Sequence, residues 1–592
     1  MLDSMPLAWY AAEHWIGHAK SGGVDPTVLQ LMLQLFTSES APFKNWIRMY
    51  DIDVGEYGDP AVDFAASALY YSSLAGMQEL SDCLLRKGEN ANAKGGRLGN
   101  ALQAASYEGY EAIVKLLLAN GAVVNAKGGQ YGNALQAASF GGNEVIVKLL
   151  LENGAEVNVE GGEYGNALQA ASFRGDGVIV NLLLENGAKV NAEGGKYGNA
   201  LQAALFGDNE VIVELLLKNG AEVNAKAGEY GNALQAASFR CDEVIVKLLL
   251  ENGAEVNAKG GKYGNALQAV LNKEAWFRVN TAILKLLLEN GADVNAKGGE
   301  YGNALQLASF RGDEVIVKLL LENGADVNAE EGEYGSALQA ASFRGNMEIM
   351  KLLLENGADI NAKGGKYGNA LQAVLNEKAW FGGIKTNVQL LLEYGVDVNA
   401  EGGEYGNALQ AASFIGHESV MKLLLENGAE VNAKGGKYGN ALQAVLIGDE
   451  AGWSGDIEEI VKLLLENGAD VNAEGGAYGK ALQAASYNGY VTIVELLLKN
   501  GAEVNAEGGE YGNALQAASF RGYEAIVKLL LENGAEVNAE GGKFGNALQA
   551  ALFVFHEAII KLLLSNGAEV SSALLKDDLN PAIQNLLMDA KL

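Results

Sequence analysis

At 592 residues, with 43 Lys and Arg against 74 Asp and Glu, the chain carries a formal charge of −31. That balance repels phosphate backbones, whose binding depends on neutralisation by Lys and Arg, and anionic membrane surfaces too, so neither nucleic acid nor membrane is an expected partner. Cys83 and Cys241, the two cysteines, cannot build a disulfide framework, no apolar run approaches membrane-spanning length and the N-terminus lacks a signal-peptide pattern, so a reduced, cytoplasmic setting is expected.

Residues 1–54 differ in composition from everything after them, holding three of the six Trp and three of the five Pro within the first 50 positions. Residues 7–20 read as an amphipathic helix with Leu7, Ala8, Trp15 and Ala19 near one face. Asp25-Pro26 opens a second helix with Leu29, Met32, Leu33 and Phe36, and Pro42 opens a third with Trp46 and Ile47. Three helices this short and apolar make a poor independent domain. His14 and His18 have a metal-capable spacing, but Trp15 stands where a zinc protease carries its Glu and no third ligand follows, so no metal is expected.

From residue 55 to 571 one unit is written over again. The Leu of Ala-Leu-Gln recurs at 69, 102, 135, 168, 201, 234, 267, 305, 338, 371, 409, 442, 482, 515 and 548; eleven of the fourteen intervals are 33, and the others are 38, 38 and 40. A fixed period of this size means a solenoid, in which each unit buries its apolar face only against its neighbours. In the copy at Tyr511, Asn513 is placed as an N-cap, and residues 514–520 form a short helix whose Ala and Ser permit close approach. Gly522 breaks it. Residues 524–532 form a second helix, apolar around most of its circumference; Gly534 ends it, and Gly541-Gly542 suits a tight hairpin before the next copy. In the three long copies Ala-Leu-Gln-Ala-Val-Leu replaces Ala-Leu-Gln-Ala-Ala-Ser, and the extra residues enter between the two helices, each insert bearing a tryptophan: Trp276, Trp380 and Trp453. The aromatic usual five positions after the marker Leu is there replaced by Asn272, Asn376 and Ile447. The inserted Trp either fills the hole left by that ring or forms a second contact surface. Residues 572–592 look like a polar-faced C-terminal cap.

Helix, turn, helix and hairpin finger at this period resemble the ankyrin repeat, with Asn-Ala-Leu-Gln standing where the family usually has Thr-Pro-Leu-His, and Gly-Gly-x-Tyr-Gly in place of the usual finger turn. The resemblance implies an all-α ankyrin-repeat solenoid that binds proteins by its fingertips and inner short helices, without catalysis or cofactor. Residues 6–20, PLAWYAAEHWIGHAK, followed by NWIRMYDID at 45–53, resemble the segment that joins the nucleotidase (NACHT) domain to the ankyrin array in fungal NLR-like receptors of the STAND class. That implies the ligand-sensing arm of such a receptor; the alternative is a stand-alone adaptor tethering two proteins.

No catalytic constellation is present. The Gly-Gly-x-Tyr-Gly segments precede helix N-termini as phosphate loops do, but none continues into Gly-Lys-Ser/Thr, so they read as hairpins. Tyr at that finger position is nearly constant from Tyr131 to Tyr511, which favours packing against the next finger over ligand contact. Variation between copies marks candidate recognition positions, because a shared framework must stay constant and a recognition surface need not. The flanks of Gly-Gly vary in sign while summing to −1 over fourteen fingers, and the blocks Glu330/Glu331/Glu333 and Lys363/Lys366 oppose each other on consecutive fingers. A second variable set lies six and eight residues after the marker, and includes Arg174, Arg240, Arg311, Arg344, Arg521, Tyr110, Tyr490 and Tyr523. These positions match the fingertips and inner helices by which ankyrin proteins bind, and they are the expected contacts with a protein partner.

Overall fold

Each copy folds from local signals that are clearest at Asn166. Its carboxamide oxygen accepts the Gln169 N–H (2.9 Å), while the Gln169 carboxamide oxygen accepts the Asn166 N–H (2.7 Å). The reciprocal cap starts the first helix, Ala167–Arg174, which stops at Gly175 with φ +83°. Asp176 then caps the Ile179 N–H (3.0 Å) and starts the second helix, Gly177–Glu185. Ala170 and Ala171 are fully buried, and their small side chains let the first helices of successive copies pack directly. Ile179, Val180 and Leu183 are fully buried too, each contributing about 1.5–3 kcal/mol of hydrophobic stabilisation relative to exposure. At the end Asn186 donates to the Leu182 carbonyl (2.8 Å) and Gly187 turns the chain with φ +84°.

The computed structural model describes residues 14, 17, 25–36, 43, 47, 53, 66–226, 228–271, 281–298, 302–330, 332–376, 383–448, 456–570 and 581–591. Among these are 32 helices and no strand longer than an isolated bridge. The chain divides into two units, Met1–Gly299 and Glu300–Leu592.

The first unit holds seven helix pairs, from Ala68–Leu74 with Gln78–Arg86 to Ala266–Val270 with Thr281–Glu289. Ahead of them Pro26–Leu35, capped by Asp25, packs on Gln78–Arg86. Phe36 and Phe43 are buried with their rings 5.4 Å apart, and Phe43 meets the Tyr71 ring edge-on at 5.8 Å. Asp53 accepts the Arg97 N–H, and its carbonyl takes the Arg97 Nε–H (2.8 Å). The described residues ahead of the array thus cover the open face of its first copy.

The second unit holds eight pairs, from Ala304–Arg311 with Glu314–Glu322 to Ala547–Phe553 with Glu557–Ser565. A last helix, Pro581–Lys591, packs on Glu557–Ser565 and buries Ile583 and Leu587. The long copies show what the insertions do locally. Ala266–Val270 and Ala370–Val374 are five residues long where the regular first helix has eight, and the bulkier Val270, Leu271, Val374 and Leu375 are buried at the point where the helix stops early.

Candidate functional site

Three sets of hydrogen bonds tie each copy to the next and so fix where the fingers stand. Gln136 sends its side-chain N–H groups to three carbonyls of the following finger, those of Val159 (3.1 Å), Gly161 (3.1 Å) and Gly165 (2.8 Å). Asn158 donates to the Gly187 carbonyl (2.9 Å) and accepts the Lys189 N–H (2.8 Å), so a finger-base Asn holds the end of the next copy's second helix. The same two-pronged contact recurs in the second unit, for example from Asn399 to Gly428 and Glu430. Fingers close on themselves, as between the Gly161 N–H and the Gly165 carbonyl (2.7 Å), and many then pair with a neighbour: Glu163 N–H donates to Gln130 O (2.7 Å) and Lys196 N–H to Glu163 O (2.8 Å).

Aromatic rings fill the space between fingers and first helices. In the first unit a ladder of ten rings alternates between the two, from Tyr107 through Tyr131, Phe140, Tyr164, Phe173, Tyr197, Phe206, Tyr230 and Phe239 to Tyr263. Its successive centroids are 4.6–5.1 Å apart. In the second unit the ladder runs in pieces: Phe310 to Tyr367, Tyr405 to Tyr438, and Tyr478 to Phe553. The breaks fall at the long copies, where Asn376 and Ile447 replace the helix ring. Tyr131, Tyr164, Tyr334, Tyr367 and Tyr405 are buried, and burial pushes the Tyr131, Tyr164 and Tyr367 hydroxyls above the ordinary phenol range. The finger tyrosines are packing groups.

The expected contact residues are placed as follows. Arg344 lies over the Phe310 ring of the preceding copy (5.2 Å). Arg240 lies over Phe206 (5.9 Å) while pairing with Asp208 (2.6 Å), and Arg521 lies over Tyr487 (4.7 Å) while donating from Nε to its carbonyl (3.2 Å). These arginines extend the ladder's edge, their guanidinium planes covering rings of the copy before. Arg174 is exposed and Arg311 half-buried. The Tyr110 and Tyr523 rings lie over Gly76 and Gly489, so close that a Cβ there would come within 2.4 and 2.6 Å of them. Tyr490 is half-buried at the matching turn. Second flanks of consecutive fingers are engaged with each other at five junctions: Lys366 pairs with Glu333 (3.5 Å), Lys196 with Glu163 (3.7 Å), Lys262 with Glu229 (3.9 Å), Lys437 with Glu404 (3.4 Å) and Lys543 with Glu510 (3.0 Å). The opposition of Glu333 and Lys366 seen in the sequence is therefore satisfied within the chain. The first flank is not. Lys94, Lys127, Glu160, Glu193, Lys226 and Lys259 in the first unit, and Glu330, Lys363, Glu401, Lys434, Glu474, Glu507 and Glu540 in the second, are exposed and enter no ion pair among the described residues. Glu331, Trp276, Trp380 and Trp453 lie outside the described residues.

Sequence reasoning missed the Asn contact between copies and the Lys–Glu pairing of consecutive fingers. The constancy of Asn in Val-Asn-Ala was the available signal for the first, and alternation of sign at one finger position for the second. Among the described residues no group of three or more His, Cys, Asp or Glu side chains is placed to hold a metal ion, and no helix is long and apolar enough to cross a membrane.

Comparison with known proteins points the same way as the geometry. A family model described as "Ankyrin repeats (3 copies)" matches residues 123–194, 168–260, 271–364 and 453–508, and one described as "Ankyrin repeat" matches 100–129, 407–436 and 513–541. The azaphilone pigments biosynthesis cluster protein L of Monascus ruber is 36% identical over 120 residues, covering 17% of this chain and 25% of that protein, so the chain matches a quarter of that relative's length. The crystal structure of the human ASB11 ankyrin repeat domain is similar at 28% identity and a TM-score of 0.33, covering 38% of this chain and 98% of that one. Since the two ankyrin models together match more than half of its residues, the chain belongs to the ankyrin-repeat family.

Proposed function

We propose that this chain is a non-catalytic scaffold that recognises a protein partner through the first flanks of its fingers and the turns that follow its first helices. The observation that carries this reading is the division of labour within each finger. Gln, Asn and Tyr hold one copy to the next and scarcely change, and the second flank pairs with its neighbour. The first flank changes sign from copy to copy and is left exposed. Along the second unit it reads Glu330, Lys363, Glu401, Lys434, Glu474, Glu507 and Glu540, a charge pattern that sets the register of a complementary partner. On the resemblance of residues 6–20 and 45–53 we further propose that the array is the sensing arm of a fungal NLR-like receptor acting in the cytoplasm.

The test compares two charge swaps against a partner recovered with the array as bait. Exchanging Glu330→Lys with Lys363→Glu reverses the unpaired flank, and Glu333→Lys with Lys366→Glu reverses a pair that can re-form. Exposed charges contribute about 0.2–1 kcal/mol each, so the first swap is expected to weaken binding by up to roughly tenfold and the second to change it little. Unchanged affinity in both, with binding lost on replacing Trp276, Trp380 and Trp453 at unchanged thermal midpoint, would move the site to the inserts. For the receptor assignment, the full transcript is expected to encode a nucleotide-binding domain in frame ahead of this array; a transcript without one favours the adaptor.

A further inference from the structure

In the first unit four valines stand in a row on the solvent side of the second helices. Glu144–Glu152, Gly177–Glu185, Glu210–Lys218 and Glu243–Glu251 pack side by side in that order. The second residue of each is Val145, Val178, Val211 or Val244, and these are 56%, 55%, 72% and 53% exposed. One turn further on, Leu149, Leu182, Leu215 and Leu248 are half-buried, which widens the row into an apolar band. The fold itself gives no reason for valine at this position. A β-branched residue is a poorer helix former than Ala or Glu, and an acidic residue suits the first turn of a helix. Other copies use those alternatives at the same helix position, as at Glu79, Ala112, Glu348 and Ala525, all of them exposed.

We propose that this band docks an amphipathic helix of a protein partner, laid across the four helices with basic residues along its edges. Spacing and charge both point to that occupant. Packed helices stand about 8–10 Å apart, and residues seven apart on a straight helix are about 10.5 Å apart along its axis. An apolar side chain at every seventh position of the partner therefore meets one valine after another. The surroundings of the band are acidic: the four helices carry seven Glu against three Lys, and Lys148 is already paired with Glu144. Glu152, Glu185, Glu210, Glu214, Glu243 and Glu251 are exposed and enter no ion pair among the described residues. They complement a Lys or Arg placed beside each apolar anchor. The same carboxylates disfavour a second copy of this chain, which would bring like charges together, and an anionic bilayer. Recognition is then that of a helix seated by its apolar face through regularly spaced anchors. The band is distinct from the fingers, and the proposal does not rest on the reading above.

The experiment uses the whole chain and a synthetic, end-capped helical peptide of about 24 residues, with Leu at every seventh position, Lys on either side of each Leu and Ala elsewhere. Binding is read by fluorescence anisotropy of the labelled peptide at physiological salt. The patterned peptide is expected to bind in roughly the micromolar range, and a scrambled peptide of the same composition at least about tenfold more weakly. Val178→Glu combined with Val211→Glu installs the residue the chain itself uses at Glu348, so the thermal midpoint is expected to hold or rise. The double variant is nevertheless expected to weaken the patterned peptide by about tenfold or more, although it adds negative charge. Val178→Ala with Val211→Ala, which adds no charge, is expected to weaken it several-fold. Equal or tighter binding to the folded Glu variant, equal binding of the scrambled peptide, or no binding of the patterned peptide to wild type would overturn the proposal. Self-association of the wild-type chain in sedimentation, abolished by the same Glu variant, would overturn it by assigning the band to a second copy. A peptide with Glu in place of every Lys that bound as tightly would overturn the basic character of the partner.

Discussion

At Cys241, as at Asp208 and Phe555, a side chain occupies a left-handed backbone conformation that most of the matching turns give to glycine. The Cys241 φ is +60°, in the slot held by Gly175 at +83° and Gly522 at +85°. The left-handed region costs an ordinary residue about 1–2 kcal/mol, so Cys241→Gly is expected to raise the midpoint of thermal unfolding followed by circular dichroism; an unchanged or lower midpoint would show that Cys241 makes a compensating contact. The converse holds at Gly522, where an added Cβ would meet the His556 ring at 2.5 Å. Gly522→Ala is expected to lower the midpoint, since it combines strain with a clash. His417 gives a pH signature. Burial lowers its pKa below the ordinary 6.5, so the unfolded chain takes up a proton there before the folded chain does. The stability tied to this site is complete above pH 6.5 and is lost as pH falls through that value toward the lower folded-state pKa. Wild type should therefore lose more thermal stability between pH 7.5 and 5.5 than His417→Gln does; equal losses would show that this imidazole titrates alike in both states.

Between elements, the contacts that matter most join residues 29–31 positions apart. Asn158 makes two hydrogen bonds to the next copy, and losing two bonds that each net about 0.5–1.5 kcal/mol gives an expected loss of roughly 1–3 kcal/mol for Asn158→Ala. In a solenoid that loss is local. Hydrogen exchange should quicken at the Gly187 turn and the ends of the flanking second helices, and leave the Ala68–Leu74 copy unchanged; uniform quickening would mean the unit opens as a whole. The element scale also shows what the sequence made legible. Helix pairs, turns and packed finger tyrosines follow from a 33-residue period carrying Asn caps, Ala-rich first helices and αL glycines, each a local property. The Asn contact, the Arg-over-ring stacking and the Lys366–Glu333 pair were hidden because each partner is ordinary in its own copy. Only superposition of one copy on the next brings them together. The variable arginines were expected to face a partner; the structure gives Arg240, Arg344 and Arg521 a ring of the preceding copy to cover.

For the molecule as a whole, a charge of −31 coexists with fingers whose flanks nearly cancel, so the acidity is carried elsewhere, as at the exposed ends of the second helices and the loops after them, Glu152 and Glu156 among others. Long-range attraction and docking are therefore separable. Salt near physiological strength screens charges beyond about 8 Å, so raising it is expected to slow association with a basic partner more than it speeds dissociation; an effect confined to dissociation would place the acidic surface inside the interface. The most direct measurement is hydrogen–deuterium exchange of the full chain with and without a partner recovered by using the array as bait. Protection is expected in the finger segments around Glu330, Lys363, Glu401 and Lys434 and in the turns that follow the neighbouring first helices. Protection confined to the outer faces of the second helices, with the fingers exchanging as in the free chain, would contradict recognition by the fingers.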